Sequence, residues 1–242
     1  MGVLYLVRHG QASLFAEDYD QLSPLGEEQA LRLGSLWARS GLRLDRVCTG
    51  PRVRQRRSAE IACAASARGG LAQPAIEVIK ELDELPAAEI VRRAIPALVA
   101  ESAGLGAFVN QIADQRVTPE TQHSFQKMFE TIIERWVRGR VPAGEQPFER
   151  WEDFCTRVGH ALADLRAPTS ARGRRVCAFT SAGPLAVAAR VALDLSDAAT
   201  LDVMWTVRNA SVAEFLYSGP RFTLSAFNNT HHLDEPRLVT YR

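Results

Sequence analysis

Lysine is scarce in this 242-residue chain. Only Lys80 and Lys127 among its 29 basic residues are lysines, and all the others are arginines. Such a bias is expected to reflect the composition of the genome and not a function of the protein. An arginine in this chain therefore does not by itself indicate a phosphate ligand. The formal net charge is only +1, which argues against bulk attraction to nucleic acid or to an anionic membrane. We therefore expect neither of these as a partner.

Long apolar runs and metal-ligand patterns are also lacking. No apolar run approaches the roughly 20 residues that cross a bilayer, and the apolar start reaches Arg8-His9 too early for a signal peptide. The four cysteines show neither a CxxC nor a Cys/His ligand spacing, so we expect no metal site. Cys48 and Cys177 lie in apolar runs, as small core residues do. We expect reduced thiols, no cofactor and a cytoplasmic protein.

Strand and helix patterns alternate along the first third of the chain. Ser23-Pro24 offers a helix N-cap followed by a first-turn proline, and Gly41 is placed to end that helix. The predicted order is strand 3–7, helix 24–40, strand 44–49, helix 52–67 and strand 75–79. This order predicts a three-layer α/β/α fold, with a mainly parallel sheet and helices on both faces.

Strand patterns disappear between Pro86 and about Ala167. The chain then returns to the sheet and ends in a hairpin. The later predicted elements are helices at roughly 86–103, 119–138 and 147–166, strand 176–179, helix 184–193, and strands 211–217 and 222–227. We predict a single domain over residues 1–242, in which a helical insertion at 86–145 caps the functional site.

Polar residues follow the ends of four predicted strands. They are Arg8-His9-Gly10, the segment 49–54, Glu84, and the segment 180–183. Because ligands of parallel α/β sheets bind beyond the carboxyl ends of the strands, these segments are expected to converge on one site.

The residue types at this site suit phosphoryl transfer. A neutral imidazole such as that of His9 is a competent nucleophile near neutral pH. Arginines bind phosphoryl oxygens in bidentate pairs, and a carboxylic acid can protonate the leaving alkoxide. This chemistry requires no metal ion.

These segments resemble the histidine phosphatase superfamily, also called the phosphoglycerate-mutase-like family. Residues 6–12, Leu-Val-Arg-His-Gly-Gln-Ala, are similar to its Leu-Val-Arg-His-Gly-Glu/Gln signature. Residues 22–26, Leu-Ser-Pro-Leu-Gly, resemble the start of its first helix. Residues 54–60, Arg-Gln-Arg-Arg-Ser-Ala-Glu, are similar to its Arg-Ala-x-Gln-Thr-Ala-Glu segment, and residues 82–84, Leu-Asp-Glu, to the stretch that carries its acid.

The resemblance implies a role for each of the aligned polar residues. His9 would become a phosphohistidine, Arg8 and Arg54 would bind the phosphate, and Glu84 would be the general acid. At position 181 the sequence departs from the family. The family has a second histidine, which lies in a Ser-His-Gly-Gly stretch, and Ser181 stands at the position of that histidine. A hydroxyl can donate a hydrogen bond to phosphate but carries no positive charge, which predicts weaker stabilisation of the transition state.

Several residues have alternative interpretations. Ser181 could instead cap a helix that starts near Pro184. The other open assignments are Arg52 in place of Arg54, Glu81 or Asp83 in place of Glu84, Gln11 and Ser13 as substrate contacts or polar loop residues, Asn209 as a turn residue, His231 and His232 as surface or tail-packing residues, and His123 and His160 on helix surfaces.

The predicted function is therefore hydrolysis of a small phosphomonoester through a phosphohistidine on His9, with Glu84 as general acid and then general base. One alternative is a mutase-like phosphotransferase. Another is a catalytically weak pseudoenzyme that binds a phosphorylated ligand. The insertion carries no motif that identifies the substrate, and the sequence leaves the oligomeric state open.

Overall fold

The computed structural model describes residues 1–12, 20–101, 119–142, 148–167 and 173–241. Short 3-10 turns occur at Lys80–Leu82 and Pro236–Leu238. The strands and helices are β1 (Gly2–Arg8), α1 (Pro24–Ser40), β2 (Arg46–Thr49), α2 (Val53–Arg68), β3 (Ile76–Val78), α3 (Ala87–Glu101), α4 (Pro119–Val137), α5 (Trp151–Leu165), β4 (Arg175–Thr180), α6 (Ala182–Leu193), α7 (Asp197–Thr206), β5 (Val212–Ser218) and β6 (Arg221–Asn229).

The six strands form one sheet in the order β3-β2-β4-β1-β5-β6. Strands β3, β2, β4 and β1 are parallel, and β5 and β6 add an antiparallel edge. The four residues Val176–Phe179 of β4 are all fully buried. Since successive strand side chains point to opposite faces, both faces of the sheet are covered. The predicted fold class, α/β with a mainly parallel sheet, is confirmed.

Helices α1 and α2 cover one face of the sheet. Trp37 of α1 and Ala59 of α2 pack into one apolar cluster with Cys177 and Phe179, and the rings of Trp37 and Phe179 meet edge to face at 6.0 Å. The predicted signals at the ends of α1 are confirmed. Ser23 accepts a hydrogen bond from the Gly26 N–H, and Gly41 ends the helix in the left-handed conformation.

The chain divides into two compact units, residues 1–84 with 155–242, and Leu85–Phe154. The described part of the second unit is helical. Its aromatic centre is Trp136, whose ring lies 5.5 Å from Trp151 and 5.9 Å from Phe154 and whose indole N–H donates to the Glu149 carbonyl. The helical character predicted for this stretch is confirmed for the described residues. That the insertion caps the site stays a prediction.

One helix was not predicted, and the bounds of several elements differ from the sequence expectation; α5, for example, begins at Trp151 and not near residue 147. Helix α7 was not predicted, although Ser196 caps its N-terminus by accepting from the Ala199 N–H. Helix α6 begins at Ala182, two residues before the expected Pro184. In the part of the chain that is described, none of the helices has the length and apolarity required to cross a bilayer.

Candidate active site

His9 follows the last residue of the central strand β1, and its backbone is held from three sides. Its N–H donates to the Thr180 carbonyl at 2.9 Å, and its carbonyl accepts from the Ala210 N–H at 3.1 Å. The next N–H in the chain, that of Gly10, donates to Oγ of Ser58 on α2 at 3.0 Å. The turn that carries His9 is therefore tied to β4, to α2 and to the segment before β5.

The contacts of the His9 ring determine its tautomer. Nε of Arg54 lies 3.1 Å from Nε2 of His9 and donates to it. A guanidinium group has no acceptor, so Nε2 must present its lone pair. The ring proton is then on Nδ1, which donates to the Gly10 carbonyl at 2.7 Å. This assignment follows from the hydrogen-bond network. Nε2 is therefore the nitrogen able to act as a nucleophile.

The surroundings of His9 keep its ring neutral. Burial lowers the pKa of His9 well below the ordinary 6.5, and the charges of Arg54 and Arg8 lower it further, while the hydrogen bond to Gly10 opposes the shift. The side chain is only 5% exposed. Burial and two neighbouring cations favour the uncharged form of an imidazole, and this form is the nucleophilic one.

Arg54 is positioned by Asp20, a residue that sequence reasoning missed. Oδ1 of Asp20 accepts from Nη1 of Arg54 at 2.9 Å, and Oδ2 accepts from the Val53 N–H at 2.8 Å, in the first turn of α2. A carboxylate suits this place because backbone N–H groups at a helix N-terminus favour an anion. The only available signal was an acidic residue shortly before the Ser23 cap.

Arg8 contacts the C-terminal part of the chain. Its Nη1 donates to the Val207 carbonyl and, at 2.8 Å, to the Tyr241 carbonyl. Its charge still lies close enough to lower the pKa of His9. Both predicted arginines thus act electrostatically on His9, and Arg54 also touches its ring.

Glu84 lies at the N-terminus of α6. Its Oε1 accepts from the Gly183 N–H at 3.1 Å, two residues after Ser181. The neighbouring Asp83 instead pairs with Arg52, whose Nε donates to it at 2.6 Å. Of these two acidic residues, Glu84 is the one that bonds the helix that follows β4.

Ser181 is fully buried and occupies the N-cap position of α6. Its side chain makes no capping hydrogen bond, so the expectation that it caps this helix is wrong. Oγ of Ser181 instead accepts from Nε2 of Gln55 at 2.8 Å. This bond depends on tertiary structure, because Gln55, in the first turn of α2, lies within reach of Ser181 at the end of β4.

Gln11 and Ser13 were the other predicted substrate contacts, and the structure describes only the first of them. The side chain of Gln11 is bonded to Ser23, whose hydroxyl donates to Oε1 of Gln11 at 2.9 Å, and the Gln11 N–H donates to Gln29 at 2.8 Å. Ser13 lies outside the described residues. The described contacts of Gln11 thus join the turn that carries His9 to α1.

Two C-terminal residues are more buried than their sequence context indicated. His232 is 4% exposed, so placing it on the surface was wrong, although packing of the tail is consistent with its position. Its Nε2 has no hydrogen-bond partner within the described chain, and burial lowers its pKa to about 4. Asn209 lies in a turn, as predicted, but is buried there and accepts from the Thr240 hydroxyl at 3.0 Å.

Solved structures with the same fold include phosphatases and a mutase. YhfR of Bacillus stearothermophilus is 20% identical, with a TM-score of 0.62 over 97% of this chain and 100% of that one. A phosphoglycerate mutase from Bacillus anthracis str. Sterne is 18% identical, with a TM-score of 0.63 over 96% and 95% of the two chains.

A mycobacterial glucosyl-3-phosphoglycerate phosphatase, solved with inorganic phosphate, is also 18% identical, with a TM-score of 0.60 over 96% of this chain and 99% of that one. At such identities these likenesses establish the fold. No curated protein matches the sequence. The sequence profile of the histidine phosphatase superfamily (branch 1) matches residues 4–101 and 87–230, and so nearly the whole chain. The chain belongs to the histidine phosphatase superfamily.

Proposed function

We propose that this protein is a phosphatase that hydrolyses a small phosphomonoester through a phosphohistidine at Nε2 of His9. The observation that carries the proposal is the neutral, tautomer-fixed imidazole, whose Nε2 lone pair faces an arginine. A nucleophile for phosphorus needs such a lone pair, and an adjacent guanidinium can bind the phosphoryl oxygens. The phosphatases among the structural neighbours support the same reading.

In the first half of the reaction, Nε2 of His9 attacks phosphorus and the bond to the leaving alkoxide breaks. For this, the Arg54 Nε–H that now bonds Nε2 must move to a phosphoryl oxygen, which is favourable because the oxygen is charged. The negative charge of the bound phosphate ester favours the protonated form of Glu84, which then gives its proton to the alkoxide. The products of this half are a free alcohol, phospho-His9 and the Glu84 carboxylate.

In the second half, the Glu84 carboxylate takes a proton from water, whose oxygen attacks the phosphorus of phospho-His9. The N–P bond breaks, Nε2 regains its lone pair, and Glu84 is again protonated. A mutase would instead return the phosphoryl group to another hydroxyl. We favour water as the acceptor and a small phosphorylated molecule as the substrate. We also propose a cytoplasmic location, in keeping with the balanced charge and the expected reduced thiols.

The experiment is a rapid quench with a 32P-labelled phosphomonoester. We expect acid-labile, base-stable label on the wild-type chain and none on His9→Ala. His160→Ala is a matched control, because His160 lies exposed on α5 and its loss should leave the label unchanged. Wild-type protein that turns over substrate without label, or label that survives in His9→Ala, would refute the proposal.

A second measurement tests Glu84. In Glu84→Gln we expect alkyl phosphates to be hydrolysed far more slowly than p-nitrophenyl phosphate, relative to wild type, because an alkoxide needs a proton and p-nitrophenolate does not. Equal slowing of both substrates would assign the acid to another residue. Transfer of label to added alcohols, without release of inorganic phosphate, would favour the mutase.

A further inference from the structure

Two fully buried polar side chains, Gln55 and Ser181, bond each other beside the catalytic turn. Gln55 lies in the first turn of α2, next to Arg54. Ser181 follows Thr180, whose carbonyl accepts from the His9 N–H. The pair therefore adjoins both the nucleophile and the arginine that bonds it.

The orientation of the Gln55 amide is fixed by its partners. Its Oε1 accepts from the Arg52 N–H at 3.0 Å, as an N3 side chain does in a capping box. Its Nε2 donates to Ser181 at 2.8 Å and, more weakly, to the Leu82 carbonyl at 3.4 Å. A flipped amide would place N–H against N–H and oxygen against oxygen.

This orientation determines what the Ser181 hydroxyl can do. Since Nε2 of Gln55 is a donor only, Oγ of Ser181 must be the acceptor, and the hydroxyl keeps its own proton for a second bond. Within the described ranges, Ser181 makes no other side-chain hydrogen bond. A hydroxyl held in this way at a buried site is a donor, and an anion is its strongest acceptor.

The two residues also depart together from the pattern that the sequence resembles. Gln55 stands at the alanine of the Arg-Ala-x-Gln-Thr-Ala-Glu segment, and Ser181 at the histidine of the Ser-His-Gly-Gly stretch. Gln55 is tightly packed, because a Cβ added at Gly50 would lie 2.2 Å from its Oε1. Its amide fills space in front of position 181, so a large side chain there would displace it.

We propose that Gln55 is a positioning residue that turns the Ser181 hydroxyl into a hydrogen-bond donor for a phosphoryl oxygen, and that the pair replaces the second histidine of the pattern. This inference rests on the proposed function for the identity of the ligand. The donor is neutral, so it stabilises a phosphoryl group less than an imidazolium would. Loss of the Nε2 donor of Gln55 should weaken phosphate binding only while Ser181 is present.

A double-mutant cycle tests this dependence through binding alone. The dissociation constant of inorganic phosphate is measured for wild type, Gln55→Leu, Ser181→Ala and the double variant; leucine keeps most of the volume of Gln55 without its amide. We expect each single change to weaken binding about 10-fold, as loss of one bond to an anion does, and the double variant to be no weaker than Ser181→Ala. Losses that multiply would overturn the proposal.

A second cycle restores the histidine. Ser181→His alone should lower the midpoint of thermal unfolding, because the new ring and Gln55 compete for the same space. Gln55→Ala/Ser181→His should recover stability and show a new descending limb in kcat against pH, where the introduced imidazolium loses its proton. If Ser181→His alone is as stable and active as the double variant, or if the new limb is absent, the pair does not replace a histidine.

These outcomes separate the two proposals. Coupled phosphate binding in a protein without turnover or label would refute only the proposed function. A labelled, active wild type with multiplicative losses would refute only the role of Gln55. A wild type that does not bind inorganic phosphate would refute both.

Discussion

Replacing His232 by phenylalanine should make the protein more resistant to acid. The His232 ring is almost entirely buried, and its Nε2 has no partner among the described residues. Burial holds the pKa of His232 at about 4, against an ordinary 6.5; a hydrogen bond with the Ala210 backbone opposes this shift, and the charge of His231 adds to it. Protonation of the unfolded chain is thus favoured over protonation of the folded one.

The sign and size of the effect follow from this difference. Because the folded pKa is depressed, the stability contributed by neutral His232 is fully present above pH 6.5 and is lost as pH falls towards 4. A difference of about 2.5 pKa units is worth about 3 kcal/mol when complete. By about pH 4.5, the wild type should have lost about 2.5 kcal/mol through this residue alone.

Urea unfolding at several pH values measures this loss. The difference in unfolding free energy between His232→Phe and wild type should shift by about 2.5 kcal/mol in favour of the variant between about pH 7.5 and pH 4.5. His160→Phe is the matched control, since His160 lies exposed on α5 and is not among the groups that shift the pKa of His232; it should not show this gain in relative stability. Parallel curves for His232→Phe would show that this ring does not titrate as described, whatever the effect of the substitution at neutral pH.

Other predictions concern the turn that carries His9 and the residues that support it. The acid limb of kcat/KM due to His9 should lie well below pH 6.5, because its pKa is depressed; an NMR titration of its ring near 6.5 would contradict this. Asp20→Asn keeps an acceptor for the α2 N-terminus but loses the charge that holds Arg54, so kcat should fall about tenfold and phosphate should bind more weakly; unchanged kcat and affinity would argue against a positioning role. Gly10→Ala should destabilise the protein by about 2 kcal/mol or more, because its Cβ would lie 2.3 Å from a backbone oxygen. In contrast, Gly159→Ala, with open space around it, should stabilise α5 by about 0.5–1 kcal/mol; equal effects of the two changes in urea unfolding would refute the packing argument.

Local signals predicted the elements that build the site. The Ser23 cap and the left-handed Gly41 lie where the sequence placed them, because capping depends on residues within one turn of each other. Strand ends were equally readable, since apolar runs of the central strands stop where polar residues begin. For this reason the sequence alone assigns His9 to the carboxyl edge of the sheet.

The partners of the site residues could not be predicted in the same way. Asp20 and Arg54 are 34 residues apart in the sequence, and Gln55 and Ser181 are 126 apart. Such contacts depend on the register between β4, α2 and the loops, which a single sequence does not specify. Helix α7 was not predicted for a different reason. Its apolar residues do not concentrate on one face, so the sequence lacks the periodic pattern that indicates a helix.

The charges around His9 suggest why a neutral pair can serve at position 181. Two arginines already depress the pKa of His9, and a further cation buried at position 181 would cost desolvation and repulsion in the phosphate-free protein. A hydroxyl oriented by Gln55 avoids that cost but stabilises less of the charge that develops in the transition state. The same loss applies to inorganic phosphate, which carries its charge in the ground state. If Ser181 and Gln55 act as proposed, the protein should therefore release phosphate more readily than Gln55→Ala/Ser181→His does. Where product release limits turnover, this faster release regains part of the rate that is lost in the chemical step.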